Sequence, residues 1–389
     1  MQIKGFVYSA IFLSLLSEML LSPYYPQFFT GYFGVDGVEK TAVFIAVCRL
    51  IVMLITPVWG ALLKKRYLKG IIATALLMTA ILKWGLGGAS TYQEFAGISF
   101  LLLLFQSAIY LLYPYLVSCL QHDQEKTVAS SSYLFIFHGA LIFASIAGGS
   151  IISFHNPLLI YRIFGLADLV LLIWFLTIRM AEPQTTRNKA VRRFMPKKNI
   201  LTFLCLMIFF YGGHHFIRPY FTFYTEHNLT NDTQWTAILY AIPSMVAILL
   251  TIIIPKDWLR RHAWVFLIIA TACGGVLLII QSLTASLFLF FVCRFIYGVC
   301  LYIGFIGVDI WIFKLADQSH LPFYYSLLTV VQNITLLVSP ISAGKLVALA
   351  GEGAPFGVAG CLLVMTAIGM FLPILNQLEG GKQHENVYK

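Results

Sequence analysis

Apolar residues fill this chain in long runs, and polar residues are confined to the short gaps between them. A helix needs about 20 mostly apolar residues to cross a bilayer. About twelve runs reach that length. The first six are 6–29, 41–63, 70–90, 95–119, 128–153 and 157–179, and the second six are 200–225, 234–255, 263–283, 286–313, 322–349 and 355–376. The pattern predicts an all-α membrane protein with twelve transmembrane helices. The first run is too long for the core of a secretory signal and has no small-residue cleavage site after it, so it is expected to stay in the membrane.

Composition supports the same solvent. The chain is 59% hydrophobic and only 11% charged, where a soluble domain carries roughly a quarter charged residues. The net charge of +10 does not mark a nucleic-acid surface, because the basic residues sit in the gaps. One set of loops holds Lys64, Lys65, Arg66 and Lys69, then Lys126, then Arg187, Lys189, Arg192, Arg193, Lys197 and Lys198, then Lys256, Arg260 and Arg261, then Lys314. The opposite loops hold Lys40 and almost nothing else basic. Cytoplasmic loops carry the excess of Lys and Arg, so both termini are expected in the cytoplasm of a cell inner or plasma membrane.

The longest gap, 181–199, is basic and holds Pro183 and Pro196. It is expected to link a six-helix bundle over 1–180 to a second over 200–376, with a cytoplasmic tail over 377–389. No segment is long enough for a soluble catalytic domain, no HExxH or paired-carboxylate arrangement lies in the runs, and no GxxxxGK[ST] loop occurs. Transport driven by an ion gradient fits this chain better than enzymatic chemistry. The seven Cys (Cys48, Cys119, Cys205, Cys273, Cys293, Cys300, Cys361) lie within apolar runs at no ligand spacing, so neither a disulfide framework nor a metal site is expected.

The halves repeat. LSPYYPQFFTGYF in the first run corresponds to FIRPYFTFYTEHN in the seventh. QHDQEKTVASSSYLF after the fourth corresponds to LADQSHLPFYYSLLT after the tenth. Ala144-Ser145-Ile146-Ala147-Gly148-Gly149 in the fifth corresponds to Ser339-Pro340-Ile341-Ser342-Ala343-Gly344 in the eleventh. Duplicated halves are a common way to build a transporter.

Six plus six spans, a basic central loop and cytoplasmic termini resemble the major facilitator superfamily over the whole chain. The family's loop between the second and third spans, G-x-L-A-D-R-x-G-R-K, survives in part as Gly60-Ala61-Leu62-Leu63-Lys64-Lys65-Arg66-Tyr67-Leu68-Lys69, with Lys64 in place of the Asp and Tyr67 in place of the second Gly. Its R-x-x-Q-G element appears in the tenth run as Arg294-Phe295-Ile296-Tyr297-Gly298. The resemblance implies two pseudo-symmetric six-helix bundles. It also implies substrate contacts from the first, fourth, seventh and tenth helices, gating from the second, fifth, eighth and eleventh, and support from the rest. Gating is then expected at Gly60, Gly148, Gly149 and Pro340.

Charges inside a bilayer are costly and mark function by default. Glu18 lies mid-run, at helical spacing with Ser14, Ser17, Ser22 and Tyr25. It is the first candidate for proton coupling, with a salt bridge to Arg49 or Arg218 as the alternative. His214 on the seventh run is the second, because imidazole titrates near neutrality. Tyr211, His214, Arg218 and Thr222 share a face there, and His215 flanks it. Arg218 precedes Pro219 and suits an anionic substrate, since guanidinium matches a carboxylate in two hydrogen bonds. Arg49, Arg218 and Arg294 outnumber Glu18, which tilts the substrate toward an organic anion. Gln106, Tyr110, His138, Tyr297, Gln332 and Asn333 are candidate polar contacts for it. Lys83, Arg162, Asp168 and Lys345 are expected to snorkel or pair locally, and Asp309 lies near the cytoplasmic end of its run.

The reading is a proton-coupled secondary transporter of a small organic solute, leaning to a carboxylate metabolite or polycarboxylate siderophore and to efflux. The alternatives are proton-driven uptake of a sugar, nucleoside or aromatic acid, and a non-transporting receptor on the same fold. The expected partners are the small-molecule substrate, the lipid bilayer and a proton gradient, with no nucleic acid. No cofactor is expected, and the chain is expected to act as a monomer.

Overall fold

The computed structural model describes residues 2–63, 68–118, 123–178, 198–254, 263–315 and 321–385. Among the described residues, 12 helices are long and apolar enough to cross a membrane, and every regular element is helical. The first six spans are Ile3–Phe33, Gly37–Gly60, Leu68–Leu86, Tyr92–Val117, Ser132–Ile151 and Pro157–Thr177. The second six are Leu201–Asn228, Thr233–Ile253, Trp264–Leu283, Leu287–Trp311, Leu327–Ala350 and Ala354–Leu372. Each overlaps one expected apolar run. The outward side chains of these helices are apolar, among them Leu54, Val170, Ile173 and Ile252, as a lipid solvent requires.

Several loop residues used to infer orientation lie outside the described residues: Lys64, Lys65, Arg66, Arg187, Lys189, Arg192, Arg193, Lys197, Lys256, Arg260 and Arg261. So do most of the central linker and the last four residues of the tail. Lys69 is described. Its Nζ donates to the carbonyls of Leu176 and Ile178, at 3.0 and 3.2 Å. A cation there satisfies the orphan carbonyls that end the sixth span.

The chain divides into two compact units, Met1–Arg192 with Asp232–Ala241, and Arg193–Asn231 with Ile242–Lys389. In the first unit, the first span packs on the fifth, the second on the fourth, and the third on the fourth and sixth. In the second, the seventh packs on the eleventh and twelfth, and the ninth on the tenth and twelfth.

Small residues set the closest approaches, as is usual where lipid removes the hydrophobic drive between helices. A Cβ on Gly165 would stand 2.8 Å from the Ala80 carbonyl oxygen, joining the sixth span to the third. A Cβ on Gly360 would stand 2.5 Å from the Gly275 carbonyl, and one on Gly275 would stand 2.7 Å from that of Gly360, joining the twelfth to the ninth. The register that lays Ser145 on Pro340 also lays Ala80 on Gly275 and Gly165 on Gly360. These are one joint built twice. The first unit adds an ion pair to it, with Lys83 Nζ 2.7 Å from Asp168 Oδ2 and both side chains sealed. The second unit places Leu278 and Leu363 at those two positions, both fully buried.

The first and seventh spans are broken helices. The first is helical over Gln2–Met19, forms a 3-10 turn at Ser22–Tyr24 and resumes as an α-helix over Tyr25–Phe33. The seventh runs Lys198–Phe216, turns at Arg218–Tyr220 and resumes over Phe221–Asn228. Proline causes both breaks, because it has no N–H for the carbonyl four residues back. In the first span that carbonyl is Met19's, and the Ser22 hydroxyl donates to it at 3.2 Å.

Candidate functional site

Four of the expected residues meet in the first unit. Glu18 arrives from the first span, Arg49 from the second, and Gln106 and Tyr110 from the fourth. Arg49 Nη2 lies 3.3 Å from Glu18 Oε1. Tyr110 Oη donates to Glu18 Oε2 at 2.5 Å. Gln106 Nε2 donates to Tyr110 Oη at 2.7 Å and to the Ser14 carbonyl at 3.1 Å, and it reaches Glu18 Oε2 at 3.5 Å. Both carboxylate oxygens are therefore held, one by a cation and one by a phenol. Of the two arginines considered for Glu18, the partner is Arg49.

This pair is only partly buried. The Glu18 and Arg49 side chains retain 20% and 38% of their accessible surface, whereas those of Lys83 and Asp168 retain 0% and 1%. The first pair is partly open and the second is sealed. Lys83 on the third span and Asp168 on the sixth pair with each other, the outcome expected for local pairing.

A second group lies in the second unit. His214 Nδ1 and Tyr297 Oη share a hydrogen bond of 2.7 Å. The Arg294 guanidinium lies over the rings of Phe221 and Tyr297, 4.2 and 5.1 Å from their centroids. Arg294 is 5% exposed, so this cation is held in aromatic surroundings where cation–π attraction is strongest. Arg218 begins the 3-10 turn with its side chain exposed, within electrostatic reach of both His214 and Tyr297.

The remaining candidates are more dispersed. His138 is half-buried in the fifth span, edge-on to the Phe137 ring. Gln332 and Asn333 are half-buried in the eleventh, and the Gln332 carbonyl accepts from the Thr335 hydroxyl at 2.8 Å. Gly60 has open space where a Cβ would be, so it makes no close helix contact. Gly148 and Gly149 do. A Cβ on Gly148 would stand 2.0 Å from the Leu20 carbonyl oxygen, and one on Gly149 would stand 3.0 Å from Tyr24 Oη. No group of three or more His, Cys, Asp or Glu among the described residues could hold a metal ion.

Two tyrosines that spacing alone does not single out belong here. Tyr24 Oη donates to the Ser145 carbonyl at 2.8 Å, and Tyr220 Oη donates to the Pro340 carbonyl at 3.4 Å. Their signal in the sequence is the Pro-Tyr pair common to both halves of the repeat.

A family model described as the Major Facilitator Superfamily matches residues 7–284. The fold is similar to that of the human organic anion transporter MFSD10 (TETRAN), with a TM-score of 0.69 and 11% identity over 95% of this chain and 99% of that one. It is similar to the POT family transporter PepTSo, with a TM-score of 0.74 and 11% identity over 95% and 97%. It is also similar to the nucleoside transporter NupG, with a TM-score of 0.72 and 11% identity over 96% and 99%. No curated protein matches the chain in sequence.

Proposed function

Since this chain belongs to the major facilitator superfamily and is on that ground a secondary transporter, we propose that it moves a small organic anion together with a proton, in the direction of export. The observation that carries the proposal is the Glu18–Arg49 pair. A carboxylate held by a guanidinium 3.3 Å away, with part of its surface accessible, can exist in two states. Ionised, it neutralises Arg49. Protonated, it releases Arg49 to meet an anion. The Glu18 carboxylate and the substrate anion thus compete for Arg49, and a proton on Glu18 decides for the anion, so proton and anion bind together. The surplus of base continues in the second unit with Arg218 and Arg294. A guanidinium over two rings is pre-ordered, so less side-chain freedom is lost when it meets a carboxylate. The small-residue segments at Gly148, Gly149 and Pro340 resemble those of exporters in the same superfamily, which supports the export direction.

The test uses the full chain in liposomes with radiolabelled citrate and benzoate as probes. Glu18→Gln is expected to abolish transport driven by a pH gradient and to leave anion exchange intact. Undiminished uphill transport in that variant removes the proton role. Arg294→Ala is expected to weaken anion binding at least tenfold, which is about 1.4 kcal/mol. Unchanged affinity in both Arg294→Ala and Arg218→Ala removes the anion. Transport of uncharged nucleosides without either anion selects nutrient uptake instead.

A further inference from the structure

The two proline breaks agree in detail. The residue before each turn, Leu21 or Ile217, is right-handed helical. Tyr24 has φ −111° and ψ 12°, and Tyr220 has φ −118° and ψ 8°. Each tyrosine N–H bonds the carbonyl three residues back, Leu21 at 2.9 Å and Ile217 at 3.3 Å. Each ring is sealed, at 0% and 1% exposure. Each hydroxyl leaves its own helix to reach a helical carbonyl, Ser145 in the fifth span or Pro340 in the eleventh. Ser145 and Pro340 are equivalent in the internal repeat. Lining up the turns also puts Glu18 and His214 at one position, the same distance before the tyrosine. Both of these side chains in turn hold a tyrosine, Tyr110 or Tyr297.

We propose that Tyr24 and Tyr220 are a duplicated pair of positioning residues. Each pins the break in its helix to the small-residue helix of the same unit, and so sets where the titratable side chain before it stands. The physics is leverage. A helix whose hydrogen-bond ladder is interrupted can swivel at the interruption, and one sealed hydrogen bond across the swivel holds its angle. Removing only the hydroxyl leaves ring packing in place and frees the angle. The joints differ in tightness. In the first unit the bond is 2.8 Å, and Gly148 lets the Leu20 carbonyl approach where a Cβ would stand 2.0 Å away. In the second unit the bond is 3.4 Å and the position of Gly148 is taken by Ala343.

Glu18 faces Arg49 and Tyr110 directly, with Tyr25, Cys48, Tyr133 and Tyr161 in electrostatic reach. His214 faces Tyr297 directly and has Arg218 and Arg294 in reach, with the Phe210 and Phe305 rings against it. The Tyr24 and Tyr220 hydroxyls bond the Ser145 and Pro340 carbonyls, so their effect on these groups passes through the helix.

The test uses the full chain in lipid nanodiscs without any transported solute, so its outcome is independent of whether Glu18 carries a transported proton. Infrared difference spectra follow the Glu18 carboxyl band, assigned by its loss in Glu18→Gln. Nitrogen NMR of histidine-labelled protein follows His214, assigned by His214→Gln. Tyr24→Phe is expected to move the Glu18 titration midpoint by about half a pH unit or more, with thermal unfolding close to that of the unmodified chain and His214 unaffected. Tyr220→Phe is expected to do the reverse. Gly148→Ala, which keeps the hydroxyl and pushes the joint apart, is expected to move Glu18 as Tyr24→Phe does, and it decides the question if Tyr24→Phe does not fold. Midpoints unchanged in folded variants, or shifted equally at both groups by either variant, overturn the proposal.

Discussion

Lys83 and Asp168 stand in a joint that the chain also builds with two leucines. A sealed ion pair must recover a large desolvation cost from its own attraction, and replacing it with packed apolar groups is often neutral or stabilising. Leu278 and Leu363 show the apolar solution on the same backbone arrangement. The double variant Lys83→Leu/Asp168→Leu is therefore expected to fold, with a melting temperature no lower than that of the parent. Either single substitution strands one charge and is expected to cost about 3–5 kcal/mol. Thermal unfolding of the three variants in nanodiscs checks this. At Glu18 the same rule acts differently, because its carboxylate has a cation on one oxygen and a phenol on the other and stays partly accessible. Tyr110→Phe is expected to weaken coupling and not folding, read as less accumulation against a pH gradient at an unchanged melting temperature.

The broken spans show what spacing can and cannot say about an element. Apolar length located every span to within a few residues, because crossing lipid fixes a helix's length more strictly than packing in water does. Helical spacing is also right for Ser14, Ser17 and Glu18, which precede the break. Tyr25, past the break, stays within electrostatic reach of Glu18 while its ring stacks on Phe29 and meets Phe44 and Phe95 edge-on. A 3-10 turn has three residues per turn and not 3.6, so spacing counted at 3.6 loses its angular register past Pro23. The prolines were visible in the repeat, but their effect on direction was not. Pro23→Ala gives the Met19 carbonyl its missing donor in competition with the Ser22 hydroxyl. That variant is expected to slow amide hydrogen exchange across residues 19–25, and mass spectrometry of that peptide measures it.

At the scale of the whole chain, the repeat was legible because the two halves keep the same small residues and the same Pro-Tyr pair. The partner of Glu18 was not legible, since Arg49 and Arg218 are equally basic and only the packing of the first, second and fourth spans chooses between them. The chosen pair has an electrical consequence. Glu18 and Arg49 together carry no net charge while the carboxylate is ionised, and a single positive charge once it takes up a proton. One elementary charge moved through a membrane potential is worth about 2.3 kcal/mol per 100 mV. With no anion on Arg49, a step that carries the protonated cluster through part of that field must draw current, so the proton load on one glutamate is readable at an electrode before the transported solute is known.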